Sequence, residues 1–177
     1  MKKNKAFFFD RDGILNKSII KNNKPYSPTT PDHLKLNKEL VKFIKNLKKK
    51  NFIIIVITNQ PEISRGKLSK FTSSIINNLI MRYFSIDAIY VCSHDDKDKC
   101  RCRKPKNGML LQAEKDWNID LKQSYFVGDR WKDIKAGSSL DCKTIFIDYK
   151  YSEKKPKNYN YKFNLITNMI KNMEKIL

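Results

Sequence analysis

The segment at residues 52–57 reads Phe-Ile-Ile-Ile-Val-Ile, an uninterrupted apolar run in which five of the residues are β-branched. Such a run is typical of a strand that is buried on both faces, as in a parallel sheet that is covered by helices. No other segment of the chain constrains the fold as strongly, and it favours an α/β arrangement.

Strand-like and helix-like patterns alternate along the rest of the chain. Short apolar runs predict strands, and apolar residues at the helical period predict helices. The predicted strands are 6–10, 52–57, 86–91, 124–128, 143–147 and 162–165; the predicted helices are 38–50, 70–84, 108–116, 131–139 and the segment after Thr167, its expected N-cap. This alternation predicts one α/β domain over residues 1–177, with a mainly parallel sheet and long irregular loops at 17–33 and 93–107.

Three of the predicted strands run directly into polar residues. The polar groups are Asp10-Arg11-Asp12-Gly13, Thr58-Asn59-Gln60 and Gly128-Asp129-Arg130. In an open α/β sheet the carboxyl ends of the strands lie along one edge, and ligands bind there. Each group alone is common in loops and turns, but together they predict a single site at that edge.

The residue types at these strand ends suit phosphoryl transfer. Asp10 and Asp12 are two residues apart, so in an extended strand end they project to the same side. Two close carboxylates have different pKa values, so one can attack as a nucleophile while the other holds a proton for the leaving group. Asp10 and Asp129 are suitable oxygen ligands for Mg²⁺, and Thr58 and Lys104 can bind phosphoryl oxygens.

Three of the four cysteines lie close together beside a histidine. Cys92, His94, Cys100 and Cys102 form a Cys₃His set, which is an established tetrahedral site for structural Zn²⁺. In a cytosolic chain such clustering favours a metal over a disulfide, although a set of free thiols is the alternative. Cys142 has no ligand spacing and is interpreted as a small buried apolar residue.

The segments FFFDRDG, IIIVITNQ, CRCRKPKNGML and YFVGDRWKDI resemble the four motifs of the haloacid dehalogenase superfamily of phosphatases. The likeness runs from about Phe7 to the C-terminal helix. It is greatest to the subclass that includes heptose 1,7-bisphosphate phosphatases and histidinol-phosphatase domains. The resemblance implies a Rossmann-like parallel sheet with helices on both faces, no large cap domain, and a zinc-binding loop just before Arg103 and Lys104.

The resemblance also implies a role for each matching residue. Asp10 corresponds to the nucleophile and a Mg²⁺ ligand, and Asp129 to the remaining acidic Mg²⁺ ligand. Asp12 corresponds to the general acid and base, with its backbone carbonyl also on the metal. Thr58 and Lys104 correspond to the residues that hold the transferring phosphoryl group.

Other positions are assigned to substrate binding or support in the same way. Asn59, Arg65 and Arg103 are expected to bind substrate, and the two arginines are candidates for contacting a second phosphate. Asp133 is expected to support the site from behind the metal ligands. The four zinc ligands are expected to position Arg103 and the lysine that follows it.

The implied function is Mg²⁺-dependent removal of the 7-phosphate from heptose 1,7-bisphosphate through an aspartyl-phosphate, for the synthesis of surface-polysaccharide precursors. Histidinol-phosphate phosphatase and polynucleotide 3′-phosphatase activities remain open as alternatives. The segment 17–28 has three lysines and no acid, which weighs against the cationic histidinol phosphate. A zinc-stabilised binding protein on an inactive phosphatase fold is the non-enzyme alternative, but the presence of Asp10 and Asp129 weighs against it.

The formal net charge of the chain is +19, from 37 basic and 18 acidic residues. This charge could serve a polyanionic partner, but lysines are spread along the whole chain, so we interpret it as composition with a mild attraction for phosphorylated metabolites. We predict a small phosphorylated sugar as substrate, no nucleic-acid or membrane partner, and a monomer. The apolar run at 6–9 is too short for a signal peptide, and we expect the protein to be cytoplasmic.

Overall fold

A computed structural model describes residues 3–177. The strands are β1 (Lys5–Phe9), β2 (Ile19–Lys21), β3 (Lys24–Tyr26), β4 (Phe52–Asn59), β5 (Ala88–Cys92), β6 (Tyr125–Gly128), β7 (Lys143–Ile147) and β8 (Tyr161–Phe163). The helices are α1 (Leu40–Lys49), α2 (Lys70–Phe84), α3 (Gly108–Trp117), α4 (Trp131–Ser138) and α5 (Ile166–Ile176). The predicted α/β alternation is confirmed, with most boundaries within two residues.

Six parallel strands form the central sheet, in the order β5-β4-β1-β6-β7-β8. From β1 the chain builds outward through β4 and β5, and it then crosses to the other side of β1 to form β6, β7 and β8. The strand order therefore reverses next to β1, which is where ligands bind in sheets of this kind. Phe9 at the end of β1 is level with Val56 in β4 and Val127 in β6, so these three strands end at the same edge.

Side chains alternate across β1 and form part of two separate cores. Phe7 and Phe9 pack on one face with the apolar residues of α1, α2 and α5, whereas Ala6 and Phe8 pack on the other with those of α3 and α4. Because both faces are covered, the strands need apolar residues at every position. This packing accounts for the unbroken apolar run of β4 and confirms the prediction of helices on both faces.

The segment 17–33 is more regular than predicted. β2 and β3 pair as an antiparallel hairpin, which replaces part of the expected irregular loop. The turn between them consists of Asn22 and Asn23, with φ angles of 49° and 54°. Consecutive residues with positive φ are typical of tight hairpin turns, and asparagine tolerates them well. The Asn-Asn pair between two short strands was thus a usable signal.

Two local predictions are wrong. Thr167 is not the N-cap of α5, because Leu165 occupies that position and α5 begins at Ile166. β4 continues past the apolar run to Asn59, because its last residues pair with β5. Within residues 3–177, no helix combines the length and the apolar character needed to cross a membrane.

We predict that Phe7→Ala lowers the free energy of unfolding by about 3–5 kcal/mol, since the ring is fully buried and stacks on Tyr125 at 5.1 Å between centroids. Urea denaturation measures this loss. Phe71→Ala is the matched control: Phe71 is 76% exposed, so its change should stay within about 0.5 kcal/mol. Equal losses in the two variants would contradict the assigned core.

Candidate active site

Three acidic side chains meet at the carboxyl edge of the sheet. Asp10 follows β1, Asp129 follows β6, and Asp133 lies in the first turn of α4. Their carboxylate groups each contribute an oxygen to a set of atoms within 4.8 Å of one another, and all three residues are buried. Strands that end level with one another therefore bring together acids that are more than a hundred residues apart in sequence.

A single buried cation lies among these acids. The ammonium of Lys104 is 2.8 Å from Oδ1 of Asp10 and 2.6 Å from Oδ1 of Asp133, and it also donates to the carbonyl of Ile57 at 2.7 Å. Burial lowers the pKa of Lys104, but the two carboxylates outweigh this effect and raise it above its ordinary value. Lys104 is therefore charged, and it neutralises only part of the negative charge around it.

The remaining negative charge affects the acids themselves. Burial and the charge of Asp133 raise the pKa of Asp10 to about 7, although Lys104 acts in the opposite direction. Burial and the charge of Asp10 likewise raise the pKa of Asp129 well above its usual range. Carboxylates that are difficult to ionise together are suited to binding a cation, which removes the repulsion between them.

The oxygen atoms of the cluster fit a hard divalent cation. Oδ1 of Asp129 is buried and has no hydrogen-bond partner among the described residues. Buried polar atoms are normally satisfied, so an unpartnered carboxylate oxygen points to a ligand. Carboxylate oxygens are the donors that Mg²⁺ prefers. Asp10 and Asp129 could therefore hold Mg²⁺ at this edge of the sheet, with Asp133 beside them.

Asp10 also has the features of a nucleophile. Its Oδ1 accepts hydrogen bonds from the backbone N–H of Arg11 at 2.7 Å and from Lys104. In the described part of the chain no hydrogen bond is made to Oδ2. The side chain is thus held through one oxygen while the other is available to react.

The carboxylate of Asp12 lies outside the acidic cluster. Arg11 donates to both of its oxygens, at 3.2 and 3.0 Å, and Asn16, Ser27 and Gln60 donate at 3.0, 2.8 and 2.7 Å. Asp12 and Asp10 nevertheless line the same small cavity, and the charge of Asp12 adds to the effect of burial in raising the pKa of Asp10. Any contact of Asp12 with a metal would have to come from its backbone carbonyl, and this role stays a prediction.

The pKa values of Asp10 and Asp12 are shifted in opposite directions. Burial alone would raise the pKa of Asp12, but the charge of Arg11 and the surrounding hydrogen bonds lower it below its ordinary value. The two acids do differ in pKa, as expected, and it is Asp12 that ionises readily. The convergence of so many donors on this carboxylate was not predicted from the sequence.

Gln60 connects Asp12 to Thr58. Its amide nitrogen donates to Oδ2 of Asp12 at 2.7 Å and to Oγ1 of Thr58 at 2.8 Å, and the side chain is fully buried. Because the Thr58 oxygen accepts this bond, its own proton is free to be donated to a phosphoryl oxygen. Gln60 belongs to the polar group that follows β4 in the sequence, but its residue type and position alone predict no role for it.

Asn59 holds the backbone of Lys104 in place. Its amide nitrogen donates to the Lys104 carbonyl at 3.0 Å, and its amide oxygen accepts from the Lys104 N–H at the same distance. This pair of bonds joins the end of β4 to the loop that carries the buried cation. The predicted contact of Asn59 with substrate stays a prediction, because its side chain already has this positioning task.

Both arginines expected to bind substrate are paired with acids. Arg65 makes two hydrogen bonds to Asp95, at 2.7 and 2.9 Å, and a third to Glu62 at 2.7 Å. Arg103 donates to Asp96 at 2.7 Å. A second phosphate would therefore have to compete with these carboxylates, and the substrate-binding roles of the two arginines stay predictions.

The four predicted zinc ligands converge. The sulfur atoms of Cys92, Cys100 and Cys102 are 3.3–3.7 Å apart, and Nδ1 of His94 is 3.3 Å from Sγ of Cys102. Tetrahedral zinc with Zn–S bonds of about 2.3 Å places its sulfurs about 3.8 Å apart, so the set fits this ion. Cys142 is 2% exposed in the core, as predicted, and all four cysteines are free thiols.

A small cavity of about 50 Å³ opens onto the acids. Its lining residues come from both sides of the sheet edge and from the hairpin: Asp10, Asp12, Ser18, Pro25, Tyr26, Ser27, Asn59, Lys104, Arg130, Lys132 and Asp133. The β2–β3 hairpin thus forms one wall, and Arg130 and Lys132 add positive charge opposite it. This composition suits a phosphate group next to Asp10.

Comparison with known proteins agrees with this geometry. A family model described as polynucleotide kinase 3 phosphatase matches residues 5–163. The D-glycero-beta-D-manno-heptose-1,7-bisphosphate 7-phosphatase of Helicobacter pylori is 35% identical to the chain, over 81% of the chain and 83% of the relative. The enzyme of the same name from Haemophilus influenzae is 37% identical, over 79% of each protein. The solved structure of D,D-heptose 1,7-bisphosphate phosphatase from B. bronchiseptica, complexed with magnesium and phosphate, superimposes with a TM-score of 0.83. That likeness covers 98% of this chain and 99% of the other, and at 22% identity it shows the shared fold.

We predict that Lys104→Met lowers the free energy of unfolding by about 3–5 kcal/mol at pH 8 in magnesium-free buffer, because it leaves buried carboxylates without their cation. Urea denaturation measures the loss. Lys122→Met is the control, since Lys122 is 78% exposed beside Asp141 and should contribute less than about 0.5 kcal/mol. Similar values for both variants would show that Lys104 does not stabilise the acids.

Proposed function

Since the chain belongs to the haloacid dehalogenase superfamily of phosphatases, we propose that it removes the 7-phosphate from D-glycero-D-manno-heptose 1,7-bisphosphate. The observation that carries the proposal is Asp10 itself, which has one oxygen held by Lys104 and the other free beside a small cavity that Arg130 and Lys132 also line. The substrate follows from the activity of the relatives described above. The likeness spans about four-fifths of each chain.

In the first step, Oδ2 of Asp10 attacks the phosphorus atom, and the bond between phosphorus and the sugar oxygen breaks. The result is an aspartyl-phosphate on Asp10, while the sugar oxygen takes a proton from protonated Asp12. Lys104 and the hydroxyl of Thr58 stabilise the negative charge on the phosphoryl oxygens. Because Asp12 ionises readily, it must receive a proton before this step, and a singly protonated phosphate can supply one.

In the second step, water attacks the phosphorus atom of the aspartyl-phosphate, and ionised Asp12 takes its proton. The bond between phosphorus and Asp10 then breaks, which releases phosphate and restores both carboxyl groups. The lowered pKa of Asp12 suits it to this basic role. Gln60 keeps Asp12 aligned throughout, because it holds the carboxylate next to Thr58.

We propose that Asp10 and Asp129 hold Mg²⁺ together with the backbone carbonyl of Asp12, while Asp133 supports the site from behind. When bound, Mg²⁺ supplies the positive charge that lets an anionic carboxylate approach an anionic phosphate. Asp133 suits a supporting role because Lys104 and the backbone N–H of Arg130 already occupy its oxygens, at 2.6 and 3.0 Å.

We also propose that Cys92, His94, Cys100 and Cys102 bind a structural Zn²⁺. All four ligands come from the protein, which leaves no open position for chemistry. The ion would fix the loop that leads directly into Arg103 and the catalytic lysine. The expectations that residues 1–177 act as one domain, as a cytoplasmic monomer, and without a nucleic-acid partner stay predictions.

A phosphate-release assay with Mg²⁺ tests the function. We expect kcat/KM for heptose 1,7-bisphosphate to exceed that for histidinol phosphate and for a 3′-phosphorylated oligonucleotide by about 100-fold or more, and the product to keep its 1-phosphate by ³¹P NMR. Asp10→Asn should reduce turnover by at least about 10⁴-fold without loss of folding. Preference for the oligonucleotide would overturn the substrate, and turnover by Asp10→Asn would overturn the covalent mechanism.

We predict about one zinc ion per purified chain, measured by elemental mass spectrometry. Cys102→Ser should lose zinc and lower Tm by at least about 5 °C, since the loop loses its cross-link. Cys142→Ala is the control and should keep its zinc, because that thiol lies in the core away from the ligands. An unchanged Tm after verified loss of zinc would rule out the structural role.

A further inference from the structure

We infer that Tyr151 is a positioning residue for the divalent cation: its hydroxyl fixes one oxygen of Asp129 so that the other faces the ion. This inference deepens the proposed function and depends on it only through the presence of a cation at the acids. Tyr151 lies in the segment after β7, outside the four recognised motifs and outside every predicted site.

The two oxygens of Asp129 differ in their surroundings. Oδ2 accepts a hydrogen bond from the hydroxyl of Tyr151 at 2.9 Å, whereas the buried Oδ1 has no partner among residues 3–177. One oxygen from each of Asp10, Asp129 and Asp133 lies within 4.8 Å of the others. The unpartnered Oδ1 is therefore the atom left for a cation, and Tyr151 is the only side chain seen to hold the opposite oxygen in the described structure.

Backbone packing prevents this carboxylate from turning freely. A Cβ atom placed on Gly13 would lie 1.9 Å from Oδ2 of Asp129, so the carboxylate rests directly against the backbone at this turn. The positive φ of Gly13 makes this close approach possible. Oδ2 is thus confined between the Gly13 backbone and the Tyr151 hydroxyl, and the direction of Oδ1 follows from that.

Tyr151 is itself held in place by its surroundings. The residue is 7% exposed, and its ring lies 5.8 Å from that of Tyr149. The backbone N–H of Ser152 donates to the carbonyl of Asn23 at 2.9 Å, and the Asn23 amide donates to the carbonyl of Lys150 at 3.2 Å. Residues on either side of Tyr151 are therefore attached to the turn of the β2–β3 hairpin, which connects the wall of the substrate cavity to the cation site.

The comparison of Tyr151→Phe with Tyr149→Phe tests the inference. Both tyrosines line the same cavity of about 410 Å³ behind the acids, but no hydrogen bond from Tyr149 to Asp129 is found in the described structure. Titration calorimetry with Mg²⁺ and no sugar substrate gives the affinity directly. Asp129→Asn is titrated in parallel, and the binding heat that it lacks is assigned to the site at Asp129.

We predict that Tyr151→Phe weakens Mg²⁺ binding by about 10- to 100-fold, as is usual when a residue that orients a metal ligand is removed. The Mg²⁺ concentration for half-maximal activity should rise by a similar factor, whereas kcat at saturating Mg²⁺ should stay within about threefold. Tyr149→Phe should bind Mg²⁺ like the wild type. Tm without Mg²⁺ should be similar in all three proteins, because the ring is retained.

Wild-type affinity in Tyr151→Phe, or equal weakening in both tyrosine variants, would overturn the role of Tyr151 alone. Failure to hydrolyse heptose bisphosphate with normal Mg²⁺ binding would overturn the substrate and leave this role intact. If Asp129→Asn does not abolish any Mg²⁺ binding seen with the wild type, both the cation site and the role of Tyr151 are overturned.

Discussion

The rest of the site depends on one interaction, the buried ion pairing of the Lys104 ammonium with Asp10 and Asp133. A sheet edge that collects several carboxylates in a dry environment is unstable without a compensating charge. Lys104 supplies one positive charge that belongs to the protein itself, and it leaves enough negative charge to attract a cation. In the proposed reaction the same charge would lie beside the phosphorus atom that Asp10 attacks, so one residue would serve both the fold and the reaction.

The position of Lys104 depends on two other features of the fold. Asn59 at the end of β4 binds its backbone on both sides, and the Cys₃His cluster fixes the loop just before it. Neither feature touches the phosphorus atom in the proposed reaction. Both lie next to the loop that carries Lys104, and a Zn²⁺ ion bound at the cluster, as proposed above, would act on catalysis through the position of that loop.

The hairpin takes the place that a separate covering domain would occupy. It lines the small cavity on one side and is hydrogen-bonded to the Tyr151 segment on the other. The same hairpin therefore contacts both the substrate cavity and the segment next to the proposed cation site. Ser27 of the hairpin region also donates to Asp12, which places the wall in contact with the residue proposed as general acid and base.

The positions of Asp10, Thr58 and Asp129 at one edge could be predicted from the chain alone, because strand polarity is encoded in local apolar runs and the ends of parallel strands meet. The convergence of the four zinc ligands was equally local, since they lie within eleven residues. The pairing of both candidate arginines, the hydrogen bonds around Asp12, and the contact of Tyr151 with Asp129 were not predictable in this way. The contacts of Arg65 with Asp95, Gln60 with Asp12 and Tyr151 with Asp129 join distant segments of the chain. Their directions are fixed only when the packed sheet brings those segments into contact.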